Sequence, residues 1–376
     1  MFEQSTVIRA IHSTFEWLLG LVGVDIEIIP ESIRVVLYGL VAAGGLMSGI
    51  ALSVMLYVWM ERRIAGRIQA RCGPNRVGPF GLLQTLADTF KLLRKEDIIP
   101  TGANKFLFAF APMIVLAGVV AAFAAVPFSY DTETGEGIMV ADIDLGIFLI
   151  TSIIATEVIG VIMAGWASNN KWSLYGAMRE AAQVVSYEIP LGLSVLVPVM
   201  IVGSLSLADA TADQLGGNWL LWRSPFMPVV FFIFYVAGLA GCKRAPFDLP
   251  EAESELVAGF HTEYSGLRFS FFFMEEYASM TLISAIGAIF FFGGGDLFGL
   301  QGDSAILMFL ILIVKILISI SVMIWIRWTL PRLRVDQVMT LGYKVLTPLA
   351  FFMLLGATIW DLTDANERIL GFLRRP

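Results

Sequence analysis

Two acids and one base stand where few charges are found. Glu157, Glu276 and Lys315 each interrupt a stretch built mainly of Ile, Leu, Val, Phe and Ala. A charge near the centre of a membrane-spanning helix costs roughly 2.5–3.5 kcal/mol on insertion scales, so such groups usually face a polar interior and mark ion or proton paths. Glu188 stands at the expected cytoplasmic end of a further apolar stretch. A buried carboxyl can exchange protons near neutral pH, which suits a relay. The plainer reading, a paired or snorkelling structural charge, is reasonable for Glu188 and poor for Glu157 and Lys315.

The segment from Cys242 to Tyr264 adds Asp248, Glu251, Glu253, Glu255 and Glu263 within a short distance. A short helix capped by Asp248, with Pro250 in its first turn, Glu251 and Glu253 opposing the dipole and Gly259 as its stop, would use one or two of these acids. It leaves the others unexplained. Glu251 and Glu255 are four apart and repel on a helix, so a clustered site there should push some carboxyls up. Two basic segments oppose this one: Glu61-Arg62-Arg63 with Arg71-Cys72-Gly73-Pro74-Asn75-Arg76-Val77-Gly78-Pro79, and Arg327 to Gln337. Anchoring to anionic lipid explains a generic basic loop. Acidic and basic loops on one face also suit a soluble partner, or a cavity that takes a polar head-group at its mouth.

What is missing narrows the chemistry. The two cysteines, Cys72 and Cys242, form no CxxC pair, and the two histidines are His12 and His261. A self-contained iron–sulfur cluster is excluded by that count, and a zinc or haem site is disfavoured. No GxxxxGK[ST] or GxGxxG segment occurs, so no nucleotide site is indicated. Any redox step must be supplied by another subunit.

The elements that hold these residues are membrane helices. Hydrophobic residues make up 57% and charged residues 15% of the chain, against roughly 25% charged in a soluble domain. Apolar stretches of spanning length run near 35–60, 106–127, 145–167, 189–207, 226–242, 269–292, 305–326 and 345–362. The expectation is an all-α, polytopic protein of about eight transmembrane helices, forming a single membrane domain over 1–376. The 61–105 loop should contain an interfacial amphipathic helix from Gly81 to Asp97, with Leu82, Leu83, Leu86, Phe90 and Leu93 on one face and Gln84, Asp88, Lys91 and Lys95 on the other. Asp88 and Lys91 could be no more than a solvated i,i+3 pair.

Lys and Arg sort the loops. The loop after the first span holds nine and the next none; alternate loops total eighteen on one side and one on the other. By the positive-inside rule the N-terminus is outside, and the 61–105 and 243–268 loops are cytoplasmic. Residues 1–34 read as an external or interfacial segment, because Glu3, Glu16, Asp25 and Glu27 break the apolar run expected of a signal peptide. A ninth short span there is the less favoured reading.

Seven blocks in order resemble the H subunits of respiratory NADH–quinone oxidoreductase (complex I). They are Glu61-Arg62-Arg63, Arg71 to Gly78, Lys95-Glu96-Asp97, Ser168 to Lys171, Ala182-Gln183 with Ser186-Tyr187-Glu188, Pro246 to Gly266, and Arg327 to Gln337. The likeness covers about Tyr57 to Pro348. It implies ubiquinone or menaquinone entering a chamber between this chain and a soluble arm, reduced there by an iron–sulfur cluster of a neighbouring subunit, with flavin further off. Matched by motif, Arg62, Arg71, Asp88, Lys91, Phe247 and Arg332 would line or gate the chamber. Glu251, Glu188, Glu157 and Glu276 would lead protons onward, with Glu253, Glu255, Glu263 and Lys315 as further members. Adjacent small membrane subunits and the soluble-arm subunits are the expected partners, no nucleic acid is expected, and a bacterial plasma membrane is the expected location. Three residues depart from the family pattern and receive no role: Glu180, His261 and Glu275.

Two other readings share these charges. A homologous subunit of a membrane-bound hydrogenase or ferredoxin-dependent complex would keep the proton path and change the donor, or lose the quinone. A secondary transporter would need broken helices and repeat symmetry, and no repeat is evident between the halves.

Overall fold

The computed structural model describes residues 5–22, 30–132, 135–250, 253–300 and 304–363. Helix α1 (Thr6–Val22) lies against α2 (Glu31–Ile68), with Ile8, Ile11 and Phe15 packed on Tyr38. By helix rise α2 is about 57 Å long, well beyond the roughly 30 Å of a hydrocarbon core, so part of it stands clear of the bilayer. A single 3-10 turn at Pro79–Gly81 leads into α3 (Gln84–Leu93), which is shorter than the expected 81–97 helix. The apolar face expected of it is present and exposed: Leu82, Leu83, Leu86, Phe90 and Leu93 all lie open.

Next come α4 (Lys105–Phe123), a small hairpin of β1 (Ser129–Asp131) and β2 (Glu136–Ile138), α5 (Gly146–Ala167) and α6 (Lys171–Val202). Asn104 and Asn170 begin α4 and α6 by accepting hydrogen bonds from the backbone N–H groups of the first turn. The antiparallel hairpin pairs Ser129 with Ile138. It ties α1 to the bundle, since Ser5 Oγ donates to the Met139 carbonyl at 2.7 Å and Arg9 pairs with Glu136.

The remainder is α7 (Leu207–Asp213), α8 (Leu220–Arg223), α9 (Met227–Gly241), α10 (Glu253–Leu256), α11 (Gly266–Phe292), α12 (Ala305–Thr329), α13 (Val335–Thr340) and α14 (Thr347–Leu362). A π-helical turn at Leu341–Leu346 joins the last two into one 28-residue rod. Among the described residues seven helices are long and apolar enough to cross a membrane, and α9, with 15 residues, is a shorter apolar helix. All eight expected spans are therefore helical.

One boundary differs in an instructive way. The span expected at 189–207 is the second half of α6, which starts at Lys171 and ends at Gly203 in a left-handed cap. Arg179, Glu180 and Gln183 lower the hydropathy of its first half, but Glu180 and Gln183 are buried against protein rather than lipid. Glu188 is consequently mid-helix and not at a helix end.

α11 is the axis of the bundle. Its apolar window is 94% buried, whereas those of α2, α12 and α14 are 17–22% buried. Surrounded by protein, α11 tolerates Glu275, Glu276, Ser279, Thr281 and Ser284 that lipid would penalise. Close approach of α4, α5 and α6 depends on small residues. A Cβ on Gly160 would lie 2.3 Å from Val115, and one on Gly165 would lie 2.5 Å from the Ala177 side chain.

Candidate functional site

The site forms where α9 ends. Lys243 follows Cys242 with φ +57°, in the left-handed region that a β-carbon disfavours by about 1–2 kcal/mol. Lys243 and Arg244 are both almost fully buried, and their side chains serve different partners.

Lys243 meets one carboxylate from each of three helices. Its ammonium pairs with Glu157 of α5, with Glu180 of α6 at 2.8 Å and with Glu275 of α11 at 3.2 Å. These four side chains are 1–7% exposed, so the charges are held together out of water. Ser279 Oγ donates to Glu275 at 3.0 Å, fixing that carboxylate from the next turn of its own helix. Burial alone would discharge a lysine here, but the three carboxylates outweigh it and hold the ammonium above the ordinary lysine range.

Arg244 serves a second group. Its Nε lies 2.6 Å from Glu276, its guanidinium stacks 4.2 Å from the Tyr277 ring centroid, and Nη1 is 3.9 Å from Glu61 of α2. Glu61 accepts from Arg327 of α12 at 2.5 Å and from the Tyr277 hydroxyl at 2.6 Å. Two guanidiniums thus face two carboxylates. Such networks recover their desolvation cost only when every charge is matched and hydrogen-bonded.

Two water-sized cavities adjoin these groups. One of about 20 Å³ touches Lys243, His261, Glu275 and Glu276. Another of about 30 Å³ lies between Glu157 and Glu188, walled by Tyr187, Cys242 and Ser279. Each is large enough for a water with polar partners. Burial lowers the His261 imidazole to about 4, with Lys243 adding to the effect, so it stays neutral.

Among the described residues of the acidic loop, Glu255 and Glu263 have separate partners. Glu255 pairs with Arg179 at 2.5 Å and with Arg332 at 3.3 Å. The hydrogen bond from Arg179 holds its carboxyl below the usual range. Glu263 accepts from Asn170 Nδ2 at 2.6 Å. Among the described residues the expected helix is the turn α10, and Val257 and Gly259 beyond it take positive φ. Glu251 and the side chain of Glu253 lie outside the described residues.

Of the residues expected at a chamber, Arg62 and Asp88 come together at 2.5 Å, with Gln84 donating to the other Asp88 oxygen at 3.2 Å. Arg71 bonds Gln69, and Lys91 is exposed on α3. Phe247 is buried, edge-on to Tyr187 with centroids 5.3 Å apart. Lys315 is not brought to the carboxylates. It donates to the carbonyls of Phe292, Gly294 and Asp296 at 2.5–2.8 Å, closing the far end of α11, about 24 Å along the helix from Glu276.

Lys243, Arg244, Glu61, Glu180, Glu275 and Arg327 were the residues that sequence reasoning left without a role at the site. A signal existed: two adjacent bases directly after an apolar helix, and two adjacent acids inside another, read as matched pairs once helices are allowed to meet.

Fold and site together define a polytopic helical membrane protein with a buried centre of paired charges. A family model described as NADH dehydrogenase matches residues 41–358. A relative from Anaeromyxobacter dehalogenans (strain 2CP-C), named as the H subunit of NADH-quinone oxidoreductase, is 44% identical over 348 residues, covering 87% of this chain and 81% of that one. Proteins of the same name from Dehalococcoides mccartyi (strain CBDB1) and Chlorobaculum tepidum are 47% and 46% identical, covering 85% and 83% of this chain and 87% and 89% of theirs. The chain belongs to the NADH dehydrogenase family.

Proposed function

We propose that this chain is the membrane subunit at which NADH–quinone oxidoreductase receives its quinone and passes the resulting charge change into the membrane. The carrying observation is the Lys243–Arg244 corner. It gathers carboxylates from α2, α5, α6 and α11 and continues directly into the loop that holds Phe247, Glu255 and Glu263.

With two cysteines in the whole chain, an iron–sulfur centre of four thiolates cannot be built here. Electrons therefore come from flavin and iron–sulfur subunits of a soluble arm, seated on the face that carries α3 and α10. Arg62, Arg71, Asp88, Lys91, Phe247 and Arg332 are assigned to the quinone. The exposed leucines of α3 and the half-exposed Arg62–Asp88 pair suit an apolar tail and a polar head-group. Glu251, Glu253, Glu255 and Glu263 are assigned to the mouth, and Glu276, Glu157 and Glu188 to the path inward. Small membrane subunits adjoin the lipid-facing helices, and the assembly sits in a bacterial inner membrane with the N-terminus outside.

Reduction of quinone to quinol takes up two electrons and two protons in a poorly solvated chamber. The buried charges respond by redistributing protons, which keeps the cost of that charge off the low-dielectric interior. Glu157→Gln in the assembled complex is expected to lower coupled quinone reductase activity at least tenfold. Wild-type turnover and proton pumping in a correctly assembled variant would overturn this reading.

A further inference from the structure

A cavity of about 310 Å³ lies between α1 and the first turns of α2, and it shares no residue with the site described above. Helix α2 lines it with Glu31, Arg34, Val35 and Tyr38, whose i, i+3, i+4, i+7 spacing puts them on one stripe of the helix. Helix α1 closes the other side with Ile8, Arg9 and His12. All of these residues precede position 41, where the family match begins. Arg9 pairs with Glu136, and His12 Nδ1 lies 3.6 Å from Glu16. The polar groups on α2 are different. Arg34 Nε and the Tyr38 hydroxyl are buried with no hydrogen-bond partner, and Tyr38 is only 7% exposed. Among the described residues neither Glu31 nor Arg34 takes part in an ion pair. Buried polar groups are normally hydrogen-bonded, so two such exceptions lining one cavity point to a partner that fills it. A guanidinium only donates and a phenol donates readily, so that partner must offer acceptor oxygens.

Depth orders these groups. The apolar stretch of α2 begins near residue 35, so the exposed Glu31 stands at the membrane surface. By helix rise Arg34 is about 4.5 Å and Tyr38 about 10 Å further in. Below Tyr38 the same stripe continues as Ala42, Gly45 and Gly49, and a Cβ on either glycine would meet nothing within 4 Å. From Tyr38 to Gly49 is about 16 Å, close to one leaflet of a roughly 30 Å hydrocarbon core. The stripe therefore reads, from the surface inward, as a carboxylate, a guanidinium, a hydroxyl and an open apolar track.

We propose that this cavity binds one phospholipid with an amine-bearing, zwitterionic headgroup, of which phosphatidylethanolamine is the simplest. Glu31 takes the ammonium, Arg34 the phosphate and the Tyr38 hydroxyl an ester carbonyl of the glycerol, while an acyl chain follows Ala42, Gly45 and Gly49. The order of groups along α2 matches the order of groups along such a lipid. A guanidinium–phosphate contact is a charge-assisted hydrogen bond, and arginine and tyrosine are at home at headgroup depth, where an apolar body meets a polar tip. Glu31 and Arg34 together add no net charge to the cavity. That balance favours a zwitterion over an anionic headgroup, which would set its phosphate against Glu31 with no cation between them. The aliphatic walls of Ile8 and Val35 and the open track favour a lipid over free phosphate.

The test is photo-labelling of the assembled complex in phosphatidylcholine vesicles that hold a trace of phosphatidylethanolamine with a photoactivatable acyl chain. Mass spectrometry of α2 peptides gives the labelling, normalised to peptides of the lipid-facing α14. Unlabelled phosphatidylethanolamine should displace the α2 label at a lower mole fraction than phosphatidylglycerol, and inorganic phosphate in the buffer should not displace it. Arg34→Gln should lower the labelling about tenfold, the factor for one charged hydrogen bond. Tyr38→Phe keeps the ring on which α1 packs and should lower it about threefold. Glu31→Gln should abolish the preference over phosphatidylglycerol. Quinone reductase activity reports that each variant has assembled. Displacement by inorganic phosphate, equal or stronger displacement by phosphatidylglycerol in the wild type, or unchanged labelling in both Arg34→Gln and Tyr38→Phe would overturn the assignment.

Discussion

The Lys243 ammonium donates to the Glu275 carboxylate at 3.2 Å across 32 positions of sequence. Their next neighbours repeat the pairing, with Arg244 at 2.6 Å from Glu276. Two adjacent bases at the end of α9 are thus matched in order by two adjacent acids on α11. The one-residue step sends the two side chains to different groups, Lys243 to Glu157, Glu180 and Glu275 and Arg244 to Glu276 and Glu61.

The Arg244–Glu276 pair should also contribute to stability. Arg244→Ala leaves Glu276 buried without its guanidinium, and breaking a buried pair by removing one partner destabilises by about 3–5 kcal/mol. Glu61 keeps Arg327 and the Tyr277 hydroxyl, so the loss should fall at the lower end. The thermal midpoint and assembly yield of the complex are expected to drop, and Arg244→Ala with Glu276→Gln should recover part of the loss. An unchanged midpoint in the single variant would contradict this.

His261 gives the 259–266 corner a pH dependence of definite sign. Its folded value of about 4 lies below the ordinary 6.5 because burial penalises the imidazolium. Between those values the unfolded chain binds more protons than the fold, so stability rises with pH. The contribution is complete above about pH 6.5 and falls as pH drops toward 4, by up to about 3 kcal/mol. Hydrogen exchange of residues 259–266 should accelerate between pH 7 and pH 5 in the wild-type complex and much less in His261→Asn. Equal acceleration in both would assign the effect to another group.

Arg62 separates a contact with substrate from a surface ion pair. The Arg62–Asp88 pair is partly exposed, and such pairs stabilise by about 0.2–1 kcal/mol. Arg62→Ala should leave the thermal midpoint nearly unchanged. If Arg62 hydrogen-bonds the quinone head-group, a charged contact of about 1.5–3 kcal/mol is lost and the quinone KM rises tenfold or more. Steady-state kinetics with a short-chain quinone would read this, and an unaltered KM would remove Arg62 from the chamber.

Lys315 is expected to act on stability. Lys315→Met orphans three carbonyl acceptors at the end of α11, at a cost of about 1–3 kcal/mol or more. The midpoint should fall while the number of protons moved per NADH oxidised stays at the wild-type value in proteoliposomes. The opposite pattern, a normal midpoint with lost pumping, would return Lys315 to the proton path.

The spans were legible because lipid imposes a simple rule: backbone polar groups must be satisfied within about 20 apolar residues. The rule failed only where protein replaces lipid. The first half of α6 looked too polar to span because Glu180 and Gln183 face neighbouring helices. Glu157 stood out as a charge in an apolar stretch, and the structure surrounds it with charged partners. Lys315 stood out equally and caps a helix, since isolation in a sequence does not reveal what a side chain reaches.

By itself the sequence determined that this is a helical membrane protein, that it resembles the H subunits of complex I, and that its interior carries ionisable groups. Those follow from composition, spacing and motif, which are properties of the chain. Only the tertiary structure decided which acid meets which base. Lys243 counted as one more positive loop residue until α5, α6 and α11 each brought a carboxylate to it. Charge balance in a low-dielectric interior is set by neighbours in space, and no periodicity in the chain encodes them.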